Sequence, residues 1–267
     1  MPLDFLIVER SQIMRLDRFL SGQTTLSRKE AQAAIRRGEV TVNGTVQRKP
    51  DCSVDPDEDH ISLGGKPIEY QKFHYFLMHK PAGVLTACSD RKQQTVLDLL
   101  AEEHRFPGLF PSGRLDIDTT GFLLITDDGA LSHKMLAPRS HVAKYYIATL
   151  RDPIESYYAA AFAEGITLET HGEPEPCLPA DFAPVSEKVA LLALHEGKYH
   201  QVKRMFAALG NHVEQLSRVQ IGALPLPAHL QPGQYMVISE AEVQQMLCET
   251  PFSEVSTYYQ QFFRHNG

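Results

Sequence analysis

Residues 110–129 constrain the fold most, because a polar loop bounded by glycines runs directly into an apolar segment. The loop contains Gly113, Arg114 and Asp116, and the apolar segment covers residues 121–126. A short apolar segment bounded by turn residues is typical of a buried β-strand. The pattern therefore predicts a sheet with Asp116 at its rim, where partial burial can tune a carboxylate. Arg114 is a candidate partner for a phosphate or a carboxylate.

The same loop partly resembles a calcium-binding loop, with Asp116, Asp118 and Thr120 as ligands and Asp127 at the twelfth position. A calcium loop of this kind needs a bidentate glutamate at that position and helices on both sides. Because an apolar strand is predicted directly after the loop, the calcium interpretation is disfavoured. Structural turn aspartates are the remaining alternative to a functional carboxylate.

A second segment, residues 195–206, combines a glycine, two histidines and two adjacent cations. Gly197 is predicted to end a strand, and a helix is predicted to begin shortly after it. Lys203 and Arg204 then lie in the first two helical turns, where the helix dipole does not favour cations. We therefore expect them to face a negative charge, a carboxylate or a phosphate, and a solvated basic face is the alternative. The segment lacks the helical H-E-x-x-H pattern, so no metal is predicted.

A third segment, residues 140–148, contains the sequence Lys144-Tyr145-Tyr146. In a strand, Lys144 and Tyr146 share one face and Tyr145 lies on the other. One tyrosine is thus predicted to enter the core while the other faces a cleft, although two packing tyrosines are also compatible with the pattern.

The charge of −7 is unevenly distributed along the 267 residues. Residues 13–50 contain eight basic and three acidic side chains, a balance of +5, which leaves −12 for the rest. In this basic segment, Ser27 and Glu30 form a capping-box pattern before a helix that Gly38 can end. A strand, an Asn-Gly turn and a second strand follow. The segment is predicted to be a small nucleic-acid-binding module.

Composition excludes several other classes of protein. No run of about 18 apolar residues is present, so a membrane span is not expected. The first ten residues lack the pattern of a signal peptide, which predicts a cytoplasmic protein. The four cysteines form no C-x-x-C pair, and we expect free thiols rather than a zinc site or disulfides.

The second half of the chain is predicted to be an α+β domain with a mainly antiparallel mixed sheet and flanking helices. The predicted strands are residues 75–78, 121–126, 145–150 and 189–194. The predicted helices are residues 95–104, 154–164, 199–209 and 240–247.

The three motif segments, taken in order, resemble the pseudouridine synthases, in particular their ribosomal small-subunit branch. Residues 113–121, 144–146 and 196–206 match the three motifs of that family, and residues 221–224 resemble its short apolar motif. Residues 14 onward resemble the S4 RNA-binding domain that precedes the catalytic domain in this branch. The predicted divisions are an extension (1–13), a small α/β S4-like domain (14–60), a linker (61–72), the catalytic domain (73–248) and a tail (249–267).

The resemblance implies an isomerase that breaks a uridine N-glycosidic bond and rejoins the uracil through C5. It assigns Asp116, Tyr146 and Lys203 to catalysis, with Lys203 paired to Asp116 so that the carboxylate stays charged. The residues expected to bind the substrate are Arg114, Arg204, Ile221 and Leu224. Those expected to bind RNA through the S4-like domain are Arg15, Arg18, Arg28, Lys29, Arg36 and Arg37.

The implied substrate is structured ribosomal RNA, 16S rRNA in a small-subunit assembly intermediate, modified by a monomer without a cofactor, a metal or a membrane. Two alternatives stay open. One is a non-catalytic S4-type protein for RNA binding or ribosome assembly. The other is a synthase of the same family that acts on 23S rRNA or tRNA.

Overall fold

The computed structural model describes residues 13–170 and 172–266. The chain divides into two compact units, one formed by residues up to Phe73 with Leu100–Leu109, the other by His74–Leu99 and residues from Phe110 onward. The predicted N-terminal extension lies outside the described residues except for Ile13. No helix in the two described ranges is long and apolar enough to cross a membrane.

The first unit packs two helices against short antiparallel strands. Ser27 caps the second helix, and Glu30 returns the bond to the Ser27 backbone, which confirms the capping box. Gly38 ends that helix with a left-handed φ of 83°. The elements are β1 (Met14–Arg15), α1 (Leu16–Gln23), α2 (Arg28–Arg37), β2 (Val40–Val42), β3 (Thr45–Gln47), β4 (Ser53–Val54), β5 (Ile61–Leu63), β6 (Lys66–Ile68) and a 3-10 turn (Glu102–His104).

The predicted linker at residues 61–72 is wrong for its first eight residues. β5 pairs with β2 and β6 pairs with β5, so both belong to the sheet ordered β3-β2-β5-β6. Ile61 is 2% exposed and lies in the core of this unit with Leu16, Phe19 and Ile35. The Gly64-Gly65 pair, which suggested a linker, is the turn between β5 and β6.

The second unit is built on a large mixed sheet in which antiparallel pairs predominate, as predicted. Its order is β13-β14-β10-β15-β9-β7-β17, with β8 paired to β9 and β16 paired to β15. The strands are β7 (Tyr75–Lys80), β8 (Phe110–Ser112), β9 (Thr120–Thr126), β10 (Lys144–Leu150), β11 (Thr167–Thr170), β12 (Glu173–Pro176), β13 (Asp181–Pro184), β14 (Val189–Leu194), β15 (Val213–Ile221), β16 (Leu224–Pro225) and β17 (Tyr235–Val237). The helices are α3 (Gly129–Leu136), α4 (Tyr158–Glu164), α5 (Gln201–Ala208), α6 (Glu240–Gln245) and α7 (Phe252–Asn266), and 3-10 turns cover Val96–Leu99 and Pro138–Ser140.

β15 is the central strand that the sequence patterns did not reveal. It pairs with β10 on one side and, in parallel, with β9 on the other. Arg218 and Gln220 are buried in this strand. Because these polar residues lie inside the protein, the strand lacks the usual alternation of apolar and polar residues. Gly121 permits the parallel pairing, because a Cβ at this position would lie 2.1 Å from the Arg218 carbonyl oxygen.

Several predicted helices differ from the observed ones. Residues 95–104 form two 3-10 turns instead of an α-helix, and Asp98 caps the first of them by accepting bonds from the Thr95 backbone and hydroxyl. The helices predicted at 154–164, 199–209 and 240–247 are shorter than expected. The tail forms α7, whose Val255 and Tyr259 are buried against the face of the sheet that carries Tyr145.

Candidate active site

The loop that carries Asp116 is fixed by the end of β7. Lys80 is fully buried, and its Nζ donates to the carbonyl oxygens of Asp116 (3.0 Å), Ile117 (3.2 Å) and Thr119 (3.0 Å), and to that of the adjacent Pro81. Burial lowers the pKa of Lys80 to about 8, although Asp118 and Asp116 oppose this shift. A buried ammonium thus holds the backbone from Asp116 to Thr119.

Residues after β7 add further bonds to the same loop. The Gly83 amide donates to the Ile117 carbonyl (2.7 Å), and the Thr86 hydroxyl donates to the Leu115 carbonyl (2.8 Å). The two segments, far apart in sequence, therefore form one rigid support for Asp116.

The Asp116 carboxylate faces two side chains from the start of α5, the ammonium of Lys203 and the imidazole of His200. Its Oδ2 lies 3.3 Å from Lys203 Nζ, and its Oδ1 lies 3.3 Å from His200 Nε2. The Asp116 side chain is 25% exposed, so it is partly buried. His200 has a left-handed φ of 47°, a conformation that is uncommon for a residue other than glycine. The structure thus brings Lys203 to Asp116, and it adds His200.

Asp118 competes for the same ammonium. Lys203 Nζ lies 2.6 Å from Asp118 Oδ1, closer than it lies to Asp116. The hydrogen bond from Lys203 lowers the pKa of the Asp118 carboxyl. Lys203 therefore bridges a partly buried carboxylate and an exposed one, which agrees with the expectation that it faces negative charge.

Asp116 lies on a cavity of about 850 Å³, and Tyr146 and Leu194 line another part of its wall. Lys144 and Arg218 also line this cavity and are 7% and 3% exposed. Burial, and then the charge of Arg218, lowers the pKa of Lys144 to about 8. The cavity thus combines a carboxylate, an aromatic ring and buried cations.

The two adjacent tyrosines lie on opposite faces of β10, as strand geometry predicts. Tyr146 lines the cavity, whereas Tyr145 is 1% exposed and stacks on Phe252 of α7 with ring centroids 6.5 Å apart. The Tyr145 hydroxyl donates to the Thr250 carbonyl at 2.8 Å. The start of α7 therefore packs behind the strand that presents Tyr146.

Arg204 does not line the cavity. Its guanidinium lies 3.1 Å from Glu175 and donates to the Glu169 carbonyl at 2.9 Å, and both residues belong to the β11–β12 hairpin. Arg204 therefore faces a carboxylate, as expected for a cation at this end of a helix, and holds the hairpin against α5.

The remaining predicted substrate-binding residues divide into two groups. Arg114 is exposed and lines the cavity. Ile221 and Leu224 are buried and are not part of its wall. The backbone turns away at Gly222, whose amide donates to the Ala143 carbonyl. The same strand contributes Leu216 and Arg218 to the cavity instead.

The basic residues predicted to bind RNA are all exposed on the first unit. Asp17, which is fully buried, accepts a hydrogen bond from Arg15 at 2.9 Å and lies 3.5 Å from Arg28. Burial raises the pKa of Asp17, but hydrogen bonds from Arg15, Gln32 and Arg28 outweigh it and hold the pKa at about 2. The Asp17 carboxylate thus orients Arg15 and Arg28, two of the six basic residues that are predicted to bind RNA.

Sequence patterns alone missed Lys80, His200 and Arg218. Lys80 stood only in a predicted turn, His200 was considered only as a metal ligand, and Arg218 lay in a strand that was not recognised. Among the described residues, no group of three or more His, Cys, Asp or Glu side chains is arranged to hold a metal ion. Asp127 contacts His74 and Asp128 caps α3, so the loop does not have the arrangement of a calcium site.

Comparison with known proteins identifies the class of protein. The profile of the RNA pseudouridylate synthase family matches residues 74–208, and that of the S4 domain matches residues 14–68. The chain therefore belongs to the RNA pseudouridylate synthase family and carries an S4 domain. It is an isomerase that forms pseudouridine in RNA.

The alignments cover nearly the whole length of two curated relatives and of one solved structure. The ribosomal small subunit pseudouridine synthase A of Vibrio cholerae serotype O1 is 45% identical over 230 residues, which cover 86% of this chain and 98% of that protein. The Escherichia coli K12 protein of the same name is 41% identical over 231 residues, with the same coverage. A crystal structure described as a pseudouridylate synthase has 38% sequence identity and a TM-score of 0.61, and the match covers 87% of this chain and 99% of that one.

Proposed function

We propose that this protein converts one specific uridine of 16S ribosomal RNA to pseudouridine, with Asp116 as the catalytic carboxylate. The observation that carries the proposal is the position of Asp116, on a fixed loop at the cavity that Tyr146 also lines and in contact with Lys203. The 45% identity to a ribosomal small-subunit synthase supports the choice of RNA.

The chemistry requires a uridine outside its base stack. Extruding a nucleotide costs a few kcal/mol, and the exposed guanidinium of Arg114 at the cavity binds the RNA backbone and holds the nucleotide out. Tyr146 stacks on the base and assists removal of the C5 proton. Lys203 and His200 orient the Asp116 carboxylate. It acts as a nucleophile toward the sugar or the uracil, or as a base toward a sugar proton.

The Asp116→Asn variant tests this assignment, because the amide keeps the shape of the carboxylate and removes its charge. We expect pseudouridine formation to be abolished in a single-turnover assay, with RNA affinity changed less than about threefold. Asp152→Asn is the matched control, since Asp152 lies in the same unit, its side chain is 53% exposed, and its carboxylate contacts Arg151 instead of Lys203. Turnover by Asp116→Asn at the wild-type rate would refute the catalytic role.

The substrate is tested separately. We expect the protein to act as a monomer in the cytoplasm and to modify 16S RNA within a small-subunit assembly intermediate. Pseudouridine mapping of 16S and 23S RNA from a deletion strain shows which RNA is modified. Loss of a modification only in 23S RNA would refute the assignment to the small subunit. Comparing the rate on naked 16S RNA with the rate on partly assembled subunits shows which of the two is the substrate. Analytical ultracentrifugation gives the oligomeric state.

A further inference from the structure

Two buried cations of the active-site cavity have no carboxylate partner among the residues that the structure describes. Arg218 makes one hydrogen bond, from Nε to the Phe122 carbonyl at 2.9 Å, and Lys144 makes one, from Nζ to the Val142 carbonyl at 3.0 Å. Neither forms an ion pair within residues 13–170 and 172–266. Burying a charge without a partner is costly, so the pair is unfavourable unless a ligand completes it.

The two cations lie side by side on the cavity wall. Arg218 is the direct cross-strand partner of Tyr146, and such partners project from the same face of a sheet. Lys144 lies two residues before Tyr146 and shares that face. Among the described residues, the buried side-chain atoms without a hydrogen-bond partner are Arg218 NH2 and Thr119 Oγ1, and both residues line this cavity. In the part of the chain that the structure describes, the unsatisfied buried side-chain atoms are thus concentrated at this cavity.

The reaction supplies the missing negative charge. When the N1–C1′ bond breaks, its electron pair stays on N1, and the uracil becomes an anion whose charge spreads over O2 and O4. After rotation, a C5–C1′ bond forms, C5 loses a proton and N1 gains one. The product is an isomer, and no electron donor or acceptor is consumed.

We propose that Lys144 and Arg218 bind the carbonyl oxygens of the target uracil and stabilise the anion that forms when its bond to the ribose breaks. The proposal rests on the proposed function and adds two catalytic residues to it. Preorganised donors directed at developing charge act most strongly in a site that excludes water, and both side chains are nearly inaccessible to solvent.

An RNA phosphate is the other source of an anionic oxygen. The exposed Arg114, on the same cavity, is better placed for it, because a phosphate in the RNA chain remains near the surface while the flipped base enters the cavity. Arg218 and Lys144 lie beside Tyr146, the ring expected to stack on the base, which favours the uracil oxygens.

The test compares Arg218→Gln and Lys144→Met with wild type under single-turnover conditions. The RNA carries either uridine or 5-fluorouridine at the target position. We expect each variant to lose about 10²–10³-fold in rate with uridine, the usual cost of removing one such donor, while the RNA Kd changes less than about threefold. Fluorine at C5 withdraws electrons and makes the departing uracil a better leaving group. The loss should therefore shrink at least about tenfold with 5-fluorouridine, measured as its disappearance from nuclease digests. C5 keeps its fluorine in this case, and the C-linked product is completed by water, which adds its hydroxyl to C6 and its proton to N1, instead of by loss of a C5 proton.

Other results would overturn the proposal. An equal loss with both bases would indicate a merely structural role and overturn the proposal. A raised Kd with a weaker salt dependence and an unchanged rate at saturation would assign the cations to phosphate. Arg218→Lys and Lys144→Arg keep the charge and should recover part of the rate, which guards against misfolding of the first variants. Arg151→Gln, an exposed arginine of the same unit, is the matched control, and wild-type turnover tests the proposed function independently.

Discussion

Replacement of Lys80 with methionine removes the ammonium that fixes the loop of Asp116 and keeps a side chain of similar length. Four carbonyl oxygens lie within 3.0–3.2 Å of Nζ, and an ammonium can donate to three of them at once. Hydrogen bonds to a charged group contribute about 1.5–3 kcal/mol each, or roughly 4.5–9 kcal/mol for three. The pKa of Lys80, lowered to about 8 from an ordinary 10.5, corresponds to an opposing cost of about 3 kcal/mol. The expected net loss of stability is therefore about 1–6 kcal/mol.

Urea unfolding followed by far-ultraviolet circular dichroism measures this loss, since the chain has no tryptophan. Because the Asp116 carbonyl is one of the acceptors, the single-turnover rate should also fall about 10²-fold, the usual effect of a misplaced catalytic group. Lys134→Met, on the exposed surface of α3, should change stability by less than about 0.5 kcal/mol. A Lys80→Met protein with the stability and rate of the wild type would refute the supporting role of Lys80.

Three further variants test other features of the structure. Asp17→Asn should lower stability by about 2 kcal/mol at pH 7, because the pKa of Asp17 is held at about 2. This contribution is present above about pH 4 and is lost as the pH falls toward 2, so acid titrations of the two proteins should converge, and a constant difference would contradict the assignment. Lys203→Met should lower the single-turnover rate about 10²-fold at nearly constant RNA affinity, whereas an unchanged rate would show that Asp116 does not need this partner. Gly121→Ala should cost about 3 kcal/mol or more in thermal unfolding, since its Cβ would overlap the Arg218 carbonyl. Gly83→Ala, which has a similarly positive φ but open space around it, should cost only about 1–2 kcal/mol, and equal losses would refute the steric argument.

Local signals in the sequence predicted the elements that depend on local chemistry. The capping box at Ser27, the left-handed Gly38 and the apolar strand β9 need only neighbouring residues to form, and all three are present. The division of Tyr145 and Tyr146 between two faces follows from the alternation of a strand. The contact between Lys203 and Asp116 was expected only from the family resemblance, because it joins residues 87 positions apart.

Tertiary contacts determine what the sequence patterns did not reveal. β15 carries polar residues in its interior, so the usual alternation of apolar and polar residues does not mark it. Lys80 looks like an exposed turn residue until the carbonyl oxygens of a distant loop surround it. β5 and β6 are three residues each, and a glycine pair between them resembles a linker until β2 pairs with β5.

The position of β15 has a consequence for how the enzyme becomes active during synthesis. β15 is the last long strand to be made, yet it lies between β10 and β9 and joins the two halves of the sheet. Asp116 is supplied by one half, Tyr146 by the other, and Arg218 by β15 itself. Long-range pairing of this kind forms late in folding. A chain that ends before β15 therefore lacks the strand that joins the two halves, so the complete cavity can form only after about four-fifths of the chain has been synthesised.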